Sequence, residues 1–338
     1  MARDGEDGLQ KLRELRPDVV TLDVEMPRVD GVEFLRQAMR DDPVPVVVVS
    51  SLAATGAAIT LRCLELGAFD CLRKPSGAIS LDIAAISEEI IRTVRAAAAT
   101  DAARLRRSAV STEAPAAKPA PVSSAPAGRA RAASVVVAIA SSTGGPAALG
   151  RVIPALPADL PAAVVVVQHL PPGFSAAMAS RLDSRSAIRV REAVEGDDLE
   201  DAVALIAPAG RHMVVDSSGR VTFSDDPPLW GVRPAADALL AAVAASFGAR
   251  AIAVVLTGMG RDGALGARAI VEAGGQGLAQ DAATSVVFGM PRAALEARGA
   301  DRPIPLDEIA SAITRTVARA AGLPSRSAVL PQVHHIAA

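Results

Sequence analysis

Val135-Val-Val-Ala-Ile-Ala-Ser-Ser-Thr-Gly-Gly-Pro146 constrains the fold of this chain more than any other stretch. Six apolar residues, mostly β-branched and uncharged, stop abruptly at two serines, a threonine and two glycines. Such a run predicts a strand covered on both faces, as in a parallel sheet. Pro146 then stands where a helix would begin, at a position that tolerates a missing N–H. Strand, tight turn and helix start therefore follow one another, with hydroxyls on the turn. A turn of this kind lifts a serine Oγ above the carboxyl ends of a sheet and aims helix N–H groups at the same spot. The same arrangement also suits a phosphate cradle, or a βα turn that only packs.

The rest of the chain repeats the pattern. With 338 residues there is room for two domains, and half the residues are hydrophobic, enough for a large core. Aromatic residues are only 2% and tyrosine is absent, so alanine and valine fill that core. Few aromatics argue against stacking platforms for single-stranded nucleic acid, and a net charge of −2 gives no basic footprint for DNA or RNA. Two cysteines, Cys63 and Cys71, are too few for a disulfide framework and suit a reducing cytoplasm. The N-terminus is charged and shows no signal-peptide pattern. No uncharged apolar run reaches the roughly 18 residues of a membrane span, so no membrane insertion is expected.

From the N-terminus, Gly8–Leu15 reads as a helix and Asp18–Asp23 as a strand ending in an acid. Gly31–Met39 is helical, Val44–Ser50 a buried strand, Gly56–Leu66 a helix and Phe69–Leu72 a third strand before Arg73-Lys74-Pro75. In a parallel sheet Asp23, Ser50 and Lys74 then share one edge. Carboxylate, hydroxyl and ammonium together make a phosphoryl-accepting site, although each alone reads equally as a cap, a turn residue or a surface cation. Leu22-Asp23-Val24-Glu25-Met26-Pro27 with Asp30-Gly31, Ser50 and Lys74-Pro75 resembles the response-regulator receiver domain. The resemblance implies a flavodoxin-like fold, with Asp23 as phosphoacceptor and Ser50 and Lys74 as switch and active-site residues. It begins after the family's second strand, so the receiver is expected to lack its first strand, first helix and most of its second strand. The paired acids that hold Mg²⁺ in the family belong to that part. Asp4, Glu6 and Asp7 precede a helix and are not assigned as metal ligands, which makes Mg²⁺-dependent phosphorylation doubtful.

A helix over Ser87–Ala98 closes a first domain, residues 1–98. Residues 99–133, rich in Ala, Pro, Ser and Arg, read as a linker. Residues 134–322 form a second α/β domain, and 323–338 a tail. In the second domain Ala163–Val167 runs as a buried strand into Gln168-His169. Val203–Ala207 precedes Pro208–His212, Met213–Val215 and Arg220–Phe223 form a hairpin, and Ala251–Leu256 ends in Thr257-Gly-Met-Gly-Arg-Asp262. Ser142, His169 and Asp262 thus each lie just past a buried strand: a nucleophile, an imidazole able to take its proton, and a carboxylate to orient the imidazole. Ser142 is preferred to Ser141 because it stands one step nearer the helix start. His212 rivals His169, and Asp237 and Asp281 rival Asp262, which also reads as a helix cap.

Ser141-Ser-Thr-Gly-Gly145, Gln168-His169, Ile206–His212, Gly231-Val-Arg-Pro234, Leu256–Gly263 and Ala279-Gln-Asp281 with Val287–Pro291 resemble, in order, motifs of the chemotaxis protein-glutamate methylesterases, the CheB family. The similarity runs from Val135 to about Ala320. It departs at Ala140, where the family usually has glycine, at Ala209-Gly210, and at Ala235-Ala236. The fold it implies is an incomplete receiver followed by a doubly wound, mainly parallel-sheet methylesterase domain. The implied activity is hydrolysis of glutamate γ-methyl esters on chemoreceptor signalling helices, with deamidation of receptor glutamines. Ser142 would be nucleophile, His169 base and Asp262 orienter, with backbone N–H groups near Thr143 and Met259 holding the oxyanion and no cofactor for catalysis. Methyl-accepting chemoreceptors would be substrate and a chemotaxis histidine kinase the phosphodonor. Arg233 would face the acidic receptor helices, or be a plain surface cation. Two other classes fit less of the sequence: a receptor-docking adaptor without activity, and a nucleotide-binding protein, which would lack the P-loop lysine.

Overall fold

The computed structural model describes residues 1–24, 26, 30–50, 54–74, 83–108 and 132–323. The N-terminal part runs α1 (Gly5–Leu15), β1 (Val20–Asp23), α2 (Gly31–Asp41), β2 (Val46–Ser50), α3 (Ala54–Glu65), β3 (Asp70–Arg73) and α4 (Ile83–Ala98). Asp4 and Asp30 begin α1 and α2 by accepting the N–H groups of Asp7 and Glu33 at 3.0 and 2.8 Å, the usual service of an N-cap aspartate. The three strands pair in parallel in the order β1-β2-β3. Val46, Val47 and Val48 of the central strand are fully buried, which is why that run carries no charge. One further helix, α5 (Ala102–Ser108), lies inside the stretch read as linker. Its Ala-Ala-Arg-Leu-Arg-Arg composition is a good helix former, and Leu105 is buried. The proline-rich remainder of that stretch and residues beyond 323 lie outside the described residues.

The second part continues with β4 (Val136–Ser141), α6 (Gly145–Val152), β5 (Ala163–Gln168), α7 (Ser175–Asp183), β6 (Arg189–Glu192), β7 (Val203–Ile206), β8 (His212–Val215), β9 (Val221–Ser224) and α8 (Ala236–Phe247). It ends with β10 (Ala251–Val255), α9 (Ala264–Glu272), β11 (Gln276–Gln280), α10 (Met290–Glu296), β12 (Pro303–Ile304) and α11 (Leu306–Ala320). Seven strands form one parallel sheet in the order β12-β11-β10-β4-β5-β7-β6, and β8 and β9 form a separate hairpin. Two of these strands lack a long apolar run. The edge strand β6 buries only Val190 and reads Arg-Val-Arg-Glu, because an edge needs one apolar side chain and gains from charges that discourage further pairing. The opposite edge, β12, is two residues long.

The strand before the serine turn shows why its run is apolar throughout. Val135, Val137 and Ile139 enter one core cluster and Val136, Ala138 and Ala140 the other. The first cluster holds Leu149 of α6, Met178 of α7 and Ile309 of α11; the second holds Leu239 of α8, Ile270 of α9 and Ala294 of α10. Helices thus cover both faces, and the sheet is doubly wound.

The first cluster also contains Leu35, Leu61 and Phe69 of the N-terminal part, so the two parts share one apolar core. Helix α3 packs against α6 and α7. Glu65, buried at its C-terminal end, pairs with Arg181 of α7 and lies 3.6 Å from Arg185, two residues past the end of that helix.

Candidate active site

Strand β4 is the branching point of the sheet: the chain moves outward through β5 on one side and through β10 on the other. A crevice opens at such a switch, above the carboxyl ends of the strands. Ser142, His169 and Asp262 follow β4, β5 and β10, so all three reach this crevice. At the turn, Gly144 has φ +77° and starts α6, and Pro146 occupies its first turn. Gly145 is required for close approach: a Cβ there would lie 1.9 Å from Oε1 of Gln168. Ser141 is fully buried, and its hydroxyl donates to the Val167 carbonyl at 3.4 Å. Ser142 is half-buried and faces the crevice mouth. Its Oγ makes no hydrogen bond among the described residues.

The His169 Nε2 lies 2.8 Å from Oδ2 of Asp262. With Nε2–H donated to the carboxylate, Nδ1 is left as the nitrogen that can accept a proton. The His169 ring is mostly covered and Asp262 almost entirely so, at 14% and 3% side-chain exposure. Asp262 is held from behind by the N–H groups of Ala236 at 2.6 Å, Asp237 at 2.9 Å and Gly263 at 2.9 Å. Two of these donors are the first residues of α8, so a helix N-terminus aims at the carboxylate. This arrangement fixes Asp262 as an acceptor for His169.

The rivals are engaged elsewhere. His212 is buried; its Nδ1 accepts from the Ala235 N–H at 3.0 Å and its Nε2 donates to the Pro227 carbonyl at 3.2 Å, so both ring nitrogens fasten the 224–235 loop. Asp281 closes a turn by accepting from the N–H and the hydroxyl of Thr284. Asp237 stands behind Asp262, accepting from Gly266 N–H and Trp230 Nε1, each at 2.7 Å. Burial pushes its carboxyl above its ordinary value, and the neighbouring Asp262 adds to this. Arg233 donates to the carbonyls of Asp225 and Asp226 and so braces its own loop.

The N–H groups of Thr143 and Met259 donate to no acceptor among the described residues. Thr257 holds the turn beneath them: its hydroxyl donates to the Thr143 carbonyl at 2.9 Å and its N–H to Gln280 Oε1 at 2.8 Å. Gln168 is a positioning residue that the sequence shows only as the neighbour of His169. Its Nε2 donates both to the Ser142 carbonyl, at 3.0 Å, and to the His169 carbonyl, at 2.9 Å, and so clamps the two loops together. Gln168→Ala is expected to lower kcat for ester cleavage roughly tenfold to a hundredfold, since small misplacements of reacting groups are costly. Wild-type kcat in that variant would remove the clamp from the mechanism.

Known proteins match this chain. The model of the CheB methylesterase family covers residues 137–313, and that of the response regulator receiver domain residues 1–85. The chain belongs to the CheB methylesterase family. A protein-glutamate methylesterase/protein-glutamine glutaminase of Symbiobacterium thermophilum is 49% identical over 323 residues, covering 94% of this chain and 88% of that one. Another bearing the same name, from Pyrococcus abyssi, is 43% identical over 98% of this chain and 90% of its own length. The crystal structure of the Thermotoga maritima CheB methylesterase catalytic domain is 42% identical, with a TM-score of 0.52, over 53% of this chain and 97% of that domain.

In this CheB-family chain the receiver residues also converge. Asp23, Ser50 and Lys74 stand at or just past the carboxyl ends of adjacent strands, and Lys74 Nζ donates to Asp23 Oδ2 at 2.7 Å. Ser50 is buried. Glu25, Pro27 and Pro75, which carry part of the receiver resemblance, lie outside the described residues. The acids near the N-terminus serve α1: Asp4 caps it, and Asp7 pairs with Lys11 at 2.9 Å, which with the Arg3 N–H lowers its carboxyl to about 2. No group of three or more His, Cys, Asp or Glu side chains suited to a metal occurs among the described residues.

Proposed function

We propose that the chain hydrolyses γ-methyl esters of glutamate on chemoreceptor helices, releasing methanol, and deamidates glutamines at the same site. The His169–Asp262 hydrogen bond beside a half-exposed Ser142 carries this reading. Ser142 Oγ attacks the ester carbonyl carbon as its proton passes to His169 Nδ1. The N–H groups of Thr143 and Met259 receive the oxyanion; donors of this kind are worth about 3 kcal/mol each. As the intermediate collapses, His169 returns the proton to the departing methoxide. Water then attacks the acyl-enzyme and loses a proton to His169, which passes it to the departing Ser142 Oγ as the glutamate side chain is freed and the serine regenerated. With a glutamine substrate the leaving group is ammonia. Receptor membranes carrying labelled methyl esters provide the test. Methanol release supports the reading; its absence, with the receptors still bound, favours the adaptor.

We assign this work to the cytoplasm because the proposed substrate helices lie there; separately, no described helix is long and apolar enough to cross a membrane. A chemotaxis histidine kinase is proposed as phosphodonor to Asp23, whose carboxylate already accepts from Lys74 Nζ at 2.7 Å. The receiver reaches the catalytic turn directly. Thr143 Oγ1 donates to Asp70 Oδ2 at 2.6 Å, one residue from the nucleophile. A carboxylate there opposes negative charge developing at the oxyanion position. Asp70→Ala is expected to raise basal methanol release about fivefold, a typical inter-site coupling. Unchanged or reduced release would show that Asp70 only fastens the two parts.

A further inference from the structure

Trp230 sits where a tryptophan is unfavourable. Leu229 and Val232 pair across a tight turn, with Val232 N–H donating to the Leu229 carbonyl at 2.9 Å. The two residues at its tip, Trp230 and Gly231, both have positive φ, +55° and +79°. Turns of this kind favour Asn, Asp or Gly, and a bulky side chain in this backbone region is strained. A residue held in such a conformation calls for a functional account.

Here the hold is visible. The indole Nε1 donates to the buried Asp237 at 2.7 Å, and Asp237 itself backs Asp262 of the proposed triad. One side of the indole is thereby tied to the site, yet Trp230 remains 51% exposed and Leu229 beside it 44%. The guanidinium of Arg261, the residue before Asp262, lies over the ring, 5.5 Å from its centroid. Arg261 is exposed and has no carboxylate partner among the described residues. Its neighbours differ: Arg211 pairs with Asp225 at 3.0 Å, and Arg233 donates to two loop carbonyls. The rim thus presents an apolar shelf with one oriented cation whose charge is unspent.

We propose that Trp230 and Arg261 form a carboxylate-reading lip that takes a glutamate side chain next to the scissile ester on the substrate helix. The proposal rests on the methylesterase reading for the identity of that helix, and adds which neighbours of the ester the enzyme prefers. The cation–π contact with the indole narrows the positions open to the guanidinium, so less is left to order when a carboxylate arrives. The Trp230 ring and Leu229 would take the methylene stem of the same glutamate.

The chain contains one tryptophan and no tyrosine, so its emission reports the lip alone. Two helical peptides serve as probes, each with one glutamyl γ-methyl ester and either Glu or Gln one turn away. With the full chain, the Glu peptide is expected to shift Trp230 emission at roughly fivefold lower concentration, and to be cleaved with a correspondingly higher kcat/KM, as suits one exposed ion pair. Arg261→Gln should erase both differences and Arg261→Lys restore part of them. A wild-type enzyme that treats the peptides alike, or an Arg261→Gln variant that still discriminates, overturns the lip. Discrimination in emission without methanol release from either peptide would sustain the lip and remove the esterase reading.

Discussion

Ser142→Ala is expected to abolish methanol release while leaving the fold in place. Loss of a nucleophile of this class typically lowers kcat by about 10⁴-fold or more, leaving only what the oxyanion donors and binding supply. Stability should barely change, by less than about 0.5 kcal/mol, because the side chain is half-buried and its hydroxyl has no partner among the described residues. The comparison that matters is with Ser141→Ala. That hydroxyl is fully buried and donates to the Val167 carbonyl, so its removal should cost stability and spare most of the chemistry. Methanol release from Ser142→Ala at even a tenth of the wild-type rate would move the nucleophile elsewhere.

Asp262→Asn is expected to be nearly as damaging, for a different reason. Oδ1 of Asp262 accepts from the Asp237 and Gly263 N–H groups, and Oδ2 accepts from the Ala236 N–H and faces His169 Nε2. An asparagine has one acceptor oxygen, so its NH₂ must meet donors whichever way it turns. Facing His169, it forces Nε2 to accept and puts the proton on Nδ1, the nitrogen needed as base. Facing Asp237 and Gly263, it leaves two buried N–H groups without acceptors, at a cost of about 1–3 kcal/mol each. A fall in kcat of about 10⁴-fold, as for other triads given the wrong tautomer, is therefore expected with a measurable drop in Tm. Near-normal turnover by Asp262→Asn at neutral pH would show that His169 is oriented by something else.

Most strands were legible because burial on both faces imposes uncharged runs, and the triad candidates because each follows such a run. The missed strands share a cause. Strand β6 and the two-residue β12 lie at edges, where one covered side chain suffices and no apolar run is needed. Helix α5 was hidden by the prolines that follow it. Among site residues, His212 and Asp237 looked like alternatives to His169 and Asp262. Only their partners show that one fastens a loop and the other holds an indole. Arg233, read either as a cation for receptor helices or as a plain surface cation, donates to carbonyls of its own loop, whereas Arg261 drew no attention beside Asp262.

The serine turn itself illustrates the division. Sequence alone determined that a covered strand ends there in hydroxyls and glycines before a helix, because valine favours extended backbone, Gly-Gly admits the tight turn and Pro146 suits a helix start. It also determined the doubly wound class, since alternating strands and helices leave few other ways to bury both faces of a sheet. Tertiary structure decided what the turn meets. Strand order places β5 on one side of β4 and β10 on the other, which brings together residues far apart in the chain. It also turns the α8 N-terminus onto Asp262, lays Gln168 across Gly145, and sets Asp70 of the receiver against Thr143. Contacts of this kind depend on long-range packing, and no local pattern in the chain encodes them.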